Sequence, residues 1–97
     1  MEYSLETTST FDKWAEKLKD QTASRAIASR LVRVRTGNLG YVEPVVEGVS
    51  EMRIFVGKGY RLYYIVRATT TIILLNGGNK DTQKKDIKKA KEIAKTF

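Results

Sequence analysis

Residues 51–66 read Glu51-Met52-Arg53-Ile54-Phe55-Val56-Gly57-Lys58-Gly59-Tyr60-Arg61-Leu62-Tyr63-Tyr64-Ile65-Val66. β-Branched and aromatic residues crowd both sides of a Gly57-Lys58-Gly59 break, the pattern of two strands joined by a turn. A three-residue loop opposes Val56 to Tyr60, and so pairs Phe55 with Arg61 and Arg53 with Tyr63. Because strand side chains alternate, Arg53, Phe55, Arg61 and Tyr63 then share one face, while Met52, Ile54, Leu62 and Tyr64 share the other. The two arginines are diagonal neighbours, roughly 7–8 Å apart. At that separation both guanidinium groups can converge on one phosphate, with Phe55 and Tyr63 beside them as surfaces for stacking bases. Two like charges on one sheet face destabilise the fold unless an anion neutralises them. Either a ligand supplies that anion, or Glu51 does so through an ion pair such as Glu51–Arg53 or Glu51–Arg67.

Working outward, Thr71 to Leu75 supplies the next strand of an antiparallel meander, and Gly77-Gly78 is expected to end the sheet. Asp81 or Thr82 is expected to cap a last helix in which Ile87, Ala90, Ala94 and Phe97 recur at helical spacing. Upstream, Val42, Val45 and Val46 mark a strand, with the single proline, Pro44, suiting a sheet edge. Ala23, Ile27, Leu31 and Val34 form the buried stripe of a helix stopped by Gly37. Before a break at Asp20-Gln21-Thr22, Phe11, Trp14 and Leu18 share the face of another helix, opened by a Ser9/Asp12 capping box. Met1 to Leu5 reads as an edge strand. The order predicts an α+β fold in one domain, 1–97: an N-terminal edge strand, an αα-hairpin, an antiparallel sheet of three to four further strands and a C-terminal helix. One core on one sheet is expected.

The 97 residues carry 18 Lys+Arg against 11 Asp+Glu, a net charge of +7, and no histidine, so the protein is a steady polycation that should seek polyanions. With 41% hydrophobic residues, that charge decorates a folded body rather than a disordered tail. The absence of cysteine removes disulfides and thiolate chemistry; no metal site and no cofactor are expected. No run approaches the roughly 20 apolar residues of a membrane span, so a soluble, cytoplasmic chain is expected. Arg25, Arg30, Arg33 and Arg35 fall in an acid-free segment, 21–42, which gives the second helix a cationic side. Seven lysines stud the last helix and its approach, from Lys80 to Lys95. Both features suit either phosphate tracking or plain solvation. Lys58 lies between glycines that let backbone approach a ligand, and Lys80 lies near a helix start where N–H groups favour anions.

The chain resembles the phage-derived addiction-module killer proteins within the RelE/ParE/HigB toxin superfamily over nearly its whole length. The blocks that carry the likeness are Phe11-Asp12-Lys13-Trp14, Gly37-Asn38-Leu39-Gly40, Val49-Ser50-Glu51-Met52-Arg53-Ile54, Gly57-Lys58-Gly59-Tyr60-Arg61-Leu62-Tyr63-Tyr64 and Leu75-Asn76-Gly77-Gly78-Asn79-Lys80-Asp81-Thr82-Gln83. The resemblance implies a RelE-like, microbial-ribonuclease-like fold and a type II toxin that cleaves mRNA at the ribosome. It further implies silencing by an antitoxin, expected to be of helix-turn-helix type with an acidic contact surface. It assigns catalytic roles to Arg53, Arg61 and Lys80. Lys58, Phe55, Tyr63, Arg33 and Lys84 are the RNA-binding candidates from their surroundings. Lys84, Lys85 and Asp86 stand where better-known members have a tyrosine or histidine, which leaves the general base open among a lysine, Glu51 and a ribosomal RNA group. A ParE-like gyrase poison and a non-catalytic nucleic-acid binding module are the alternatives.

Overall fold

A computed structural model describes residues 2–97. Its elements run β1 (Ser4–Thr7), α1 (Ser9–Lys17), α2 (Gln21–Arg35), β2 (Val42–Val46), β3 (Val49–Ile54), β4 (Tyr60–Arg67), β5 (Thr71–Asn79), a single 3₁₀ turn (Lys80–Thr82) and α3 (Gln83–Ala94). This is the expected α+β architecture with an αα-hairpin, four further strands and a C-terminal helix. The strands form one sheet in the order β1-β5-β4-β3-β2. β1 runs parallel to β5 and every other neighbour is antiparallel. β1 and β2 are thus the edges, and Pro44 lies on an edge strand where its missing N–H removes no central bond.

Two cores flank the sheet, rather than the single core expected. On one face Met52, Ile54, Tyr60, Leu62, Tyr64, Ile72 and Leu74 pack with Phe11 of α1 and Ala23, Ile27 and Val34 of α2. On the other, Val49, Tyr63, Ile73 and Leu75 meet Ala90 and the partly buried Ile87 and Ile93 of α3. The sheet therefore needs apolar residues at both parities of β5, and Ile72 to Leu75 is a continuous buried run for that reason.

Several boundaries differ from the sequence expectation. The first strand begins at Ser4, and Met1 lies outside the described residues. Thr8, not Ser9, caps α1: its hydroxyl accepts from the Phe11 N–H (3.1 Å) and donates to the Leu75 carbonyl (2.5 Å), tying the helix start to β5. Asp20 caps α2 through the Ala23 N–H. Arg30 belongs to the buried side of α2, not to its cationic surface, and donates to the carbonyls of Leu39 and Arg53. Burial pushes its pKa below the ordinary arginine value, with Arg33 adding to the fall. Phe97 lies past the end of α3 and is exposed.

Gly77 and Gly78 do not end the sheet. They are paired residues of β5, opposite Leu62 and Arg61. A side chain at Gly77 would run into the Trp14 ring of α1, and one at Gly78 into the Asp86 carboxylate of α3. The pair lets a helix approach each face at the same point, a packing need that a local turn reading does not see.

Candidate functional site

The β3–β4 ladder pairs Ile54 with Tyr60, Arg53 with Arg61 and Glu51 with Tyr63. The connecting loop is therefore Phe55 to Gly59, two residues longer than expected. It closes through Val56 N–H to the Ile54 carbonyl (3.0 Å) and Gly59 N–H to the Val56 carbonyl (2.9 Å), with Gly57 and Gly59 both at positive φ. A register shift of two keeps every side chain on its expected face while changing which neighbours meet. Arg53 and Arg61 become directly opposite cross-strand partners instead of diagonal ones. Phe55 leaves the ladder altogether.

Glu51 organises the pair. Its side chain is fully buried, and its Oε2 accepts from Arg53 Nε at 2.5 Å and lies 3.6 Å from Arg61 Nε. Its Oε1 accepts from Gln83 Nε2 of α3 at 3.1 Å. Arg53 also reaches Glu43 on β2 (Nη2–Oε2 3.0 Å), and its pKa is raised, first by the hydrogen bond to Glu51. Arg61 Nη1 donates to the Gly59 carbonyl at 3.0 Å, which orients its guanidinium toward the loop. Of the two ion pairs expected for Glu51, the Arg53 pair forms; the Arg67 pair is replaced by one to Arg61. One carboxylate thus serves two arginines.

Lys80 joins them. The C-terminal end of β5 delivers it opposite the hairpin loop, where its backbone N–H bonds the Lys58 carbonyl at 3.4 Å. Asn79, rather than Asp81 or Thr82, caps the 3₁₀ turn, accepting from the N–H groups of Asp81 and Thr82. Thr82 stands at the α3 N-cap position without a side-chain cap bond; its hydroxyl instead donates to Asp86 Oδ2 at 2.5 Å. The result is a cavity of about 310 Å³ lined by Arg53, Ile54, Phe55, Gly59, Tyr60, Arg61 and Lys80. All three residues expected to be catalytic line it.

The RNA-binding candidates fare unevenly. Lys58 is exposed on the loop beside the cavity, and Phe55 is 71% exposed at its rim. Tyr63 is fully buried beneath α3, so it offers no face to a base; the expectation of stacking there is corrected. Burial pushes its phenol well above the ordinary value, with Glu51 adding to the rise. Arg33 lines a neighbouring groove with Arg53 and Phe55, whereas Lys84 lies on the outer surface of α3 with Lys85 and Lys88, outside the cavity. Sequence reasoning missed Gln83 and Tyr41 as members of the surroundings. Gln83 was within reach, since it closes the Gly77-Gly78-x-Lys80-x-x-Gln83 block; Tyr41 carried no signal beyond being aromatic.

Chemically, three cations face one small cavity. Two carboxylates, Glu51 and Glu43, contact Arg53, and Glu51 alone contacts Arg61. Among the described residues no carboxylate oxygen lies within 4.0 Å of the Lys80 ammonium. Three positive and two negative side chains leave a local excess of one charge, suited to an anionic ligand.

The fold is shared with solved structures. The free state of an E. coli RelE toxin mutant superposes with a TM-score of 0.72 at 20% identity, covering 96% of this chain and 99% of that one. The toxin–antitoxin complex RelBE2 of Mycobacterium tuberculosis gives 0.64 at 20% identity, with 82% and 100% covered. YafQ from E. coli strain BL21(DE3) gives 0.55 at 13% identity, with 84% and 97% covered. In sequence, an uncharacterized protein of Haemophilus influenzae is 45% identical over 94 residues, 97% of this chain and 95% of that protein. Residues 10–97 match the family described as phage derived protein Gp49-like (DUF891), and the chain accordingly belongs to that Gp49-like family and has the RelE fold.

Proposed function

We propose that the chain is the toxin of a type II toxin–antitoxin module, a metal-independent endoribonuclease that cuts mRNA at the ribosome and is silenced by a partner antitoxin. The observation that carries this reading is the convergence of Arg53, Arg61 and Lys80, from β3, β4 and the turn after β5, on one cavity. The RelE fold, which also occurs in solved toxin–antitoxin complexes, supports the pairing with an antitoxin.

Cutting RNA without metal uses the adjacent 2′-hydroxyl as nucleophile, so the protein must align attack, neutralise the phosphorane and protonate the leaving 5′-oxygen. Arg61 and Arg53 clamp the non-bridging oxygens, and Lys80 stands as the donor to the leaving oxygen. Lys58 tracks the flanking phosphate, while Arg33 and Lys84 extend the positive surface on either side. Glu51 is a positioning residue rather than the base: it is fully buried and both its oxygens are engaged. Its shared bonds hold the two guanidinium groups side by side before substrate arrives, which lowers the reorganisation needed in the transition state. The base is then a lysine of the site or a group of the ribosomal RNA.

Induced expression with primer extension on cellular mRNA tests the reading. Growth arrest with phased mRNA cuts, relieved by co-expressing the antitoxin, is the expected result. DNA damage with intact mRNA would instead identify a gyrase poison, and harmless expression a nucleic-acid binding module.

A further inference from the structure

Beside the arginine cavity, between α2 and β3, lies a groove of about 480 Å³ whose wall includes Arg30, Arg33, Tyr41, Arg53 and Phe55. It adjoins the cavity: Arg53, Ile54 and Phe55 line both. Phe55, at 71%, is the most exposed large apolar side chain among the described residues, and Tyr41 beside it is 45% exposed. Two aromatic rings left in water next to a cationic cavity cost the fold apolar surface that a ligand would cover.

The rings are braced. The Tyr41 hydroxyl donates to Glu43 Oε1 at 2.7 Å, a bond that raises its pKa. The Arg53 guanidinium carbon lies 5.4 Å from the Tyr41 ring centroid, and Arg53 is itself fixed by Glu43 and Glu51. Phe55 and Tyr41 make a T-shaped contact, with centroids 5.4 Å apart and planes at 80°, so Tyr41 steadies the ring while Phe55 stays 71% exposed. Arg33 stands across the groove with no carboxylate within 4.0 Å among the described residues. A held aromatic face beside free and shared guanidinium groups is what an unstacked base and its phosphate require.

We propose that this groove is a nucleobase subsite. It takes the base of a single-stranded RNA nucleotide adjacent to the phosphate held by Arg53 and Arg61, stacked on Phe55, with Arg33 on that nucleotide's outer phosphate and Tyr41 as the positioning residue. The inference rests on the ribonuclease reading for the identity of the strand. It adds a consequence: a base already stacked in a duplex has no free face for Phe55, so duplex RNA is a poor ligand.

Binding of a short single-stranded RNA containing 2-aminopurine to the slow-cleaving R61A variant tests this by fluorescence quenching. Phe55→Ala on that background is expected to weaken binding roughly 5- to 150-fold, the range seen for loss of one base–aromatic stack, and Phe55→Trp to retain it. Tyr41→Ala is expected to weaken binding by a smaller factor and Tyr41→Phe by less again, because the ring still supports Phe55. In the cleaving protein, Phe55→Ala is expected to raise KM with little change in kcat. Unchanged oligonucleotide affinity in Phe55→Ala overturns the subsite, as does a loss confined to neutralisation by the antitoxin, which would make the groove a protein-docking surface. Should the wild-type chain fail to cut RNA while Phe55→Ala still loses oligonucleotide affinity, the subsite stands and the nuclease reading falls.

Discussion

The two faces of the β3–β4 hairpin are buried to similar degrees and built on opposite principles. Met52 and Leu62 on the face toward α1 and α2 have no exposed surface, and neither do Glu51 and Tyr63 on the face toward α3. On the first face, burial itself stabilises, at about 25 cal/mol per Å² of apolar surface removed from water. On the second, burial costs desolvation of a carboxylate and two guanidinium groups, and only their mutual pairing offsets it. Apolar residues of similar volume would hold the sheet together as well or better, so stability alone does not account for the charged face. The charged face opens into the candidate site, to which the apolar face contributes only Ile54 and Tyr60 at the loop end of the hairpin.

Four substitutions break or sharpen this contrast. Arg61→Ala is expected to lower RNA cleavage on the order of 10²–10³-fold while the circular dichroism spectrum stays native, since it removes one transition-state donor from the cavity wall and leaves Glu51 paired with Arg53. A cleavage rate within a factor of a few of wild type would show that Arg61 is structural.

Glu51→Gln strips the shared charge partner from two arginines. Unfolding free energy in urea is expected to fall by about 3 kcal/mol, the lower end for breaking a buried pair, because Arg53 keeps Glu43 and some solvent. Cleavage per folded molecule should fall as well, through kcat rather than KM. A variant that is less stable but cleaves normally once folded would remove the positioning role from Glu51.

Leu62→Ala is the counterpart on the other face. It is expected to cost about 2–3 kcal/mol through cavity formation and to leave cleavage per folded molecule unchanged. A selective loss of activity here would mean that the two faces are mechanically coupled.

Tyr63→Phe should do least at neutral pH. Its hydroxyl is buried without a hydrogen-bond partner among the described residues, so removing it is expected to change stability by less than about 1 kcal/mol, with either sign. The difference emerges in alkali. Tyr63, Tyr60 and Tyr64 all have pKa values raised chiefly by burial, so the folded chain holds these phenol protons more tightly than the unfolded chain does. Their contribution is complete below the ordinary value near 10 and is lost as pH rises through it toward the folded values. A melting temperature that declines above that pH in wild type and declines less in Tyr63→Phe is the expected pattern; parallel declines would exclude Tyr63 as a contributor.

Much of the fold was legible because its signals are local. The 3.6-residue spacing of Phe11 and Trp14, and of Ala23, Ile27 and Val34, placed α1 and α2, and the period of two placed the faces of β3 and β4. Even the wrong hairpin register left Arg53, Arg61 and Tyr63 on their correct side, since a slip of two preserves parity. What misled was context. Gly77-Gly78 looks like a turn to any local reading, and only the Trp14 ring on one side and Asp86 on the other explain it as strand. Tyr63 looked like a stacking surface because its strand face was right, but α3 covers that part of the face, whereas Arg53 and Arg61 line the cavity.

The sequence by itself determined that this chain is an α+β polycation with arginines on one face of a central hairpin, because side-chain alternation and helical periodicity follow from backbone geometry within a few residues. The tertiary structure alone decided that Lys80 stands with those arginines, that Glu51 is divided between them and Gln83, and that Phe55 is expelled to the rim. Those outcomes depend on where β5 ends and where α3 lands on the sheet, contacts between residues up to 32 positions apart in the chain, which no local pattern encodes.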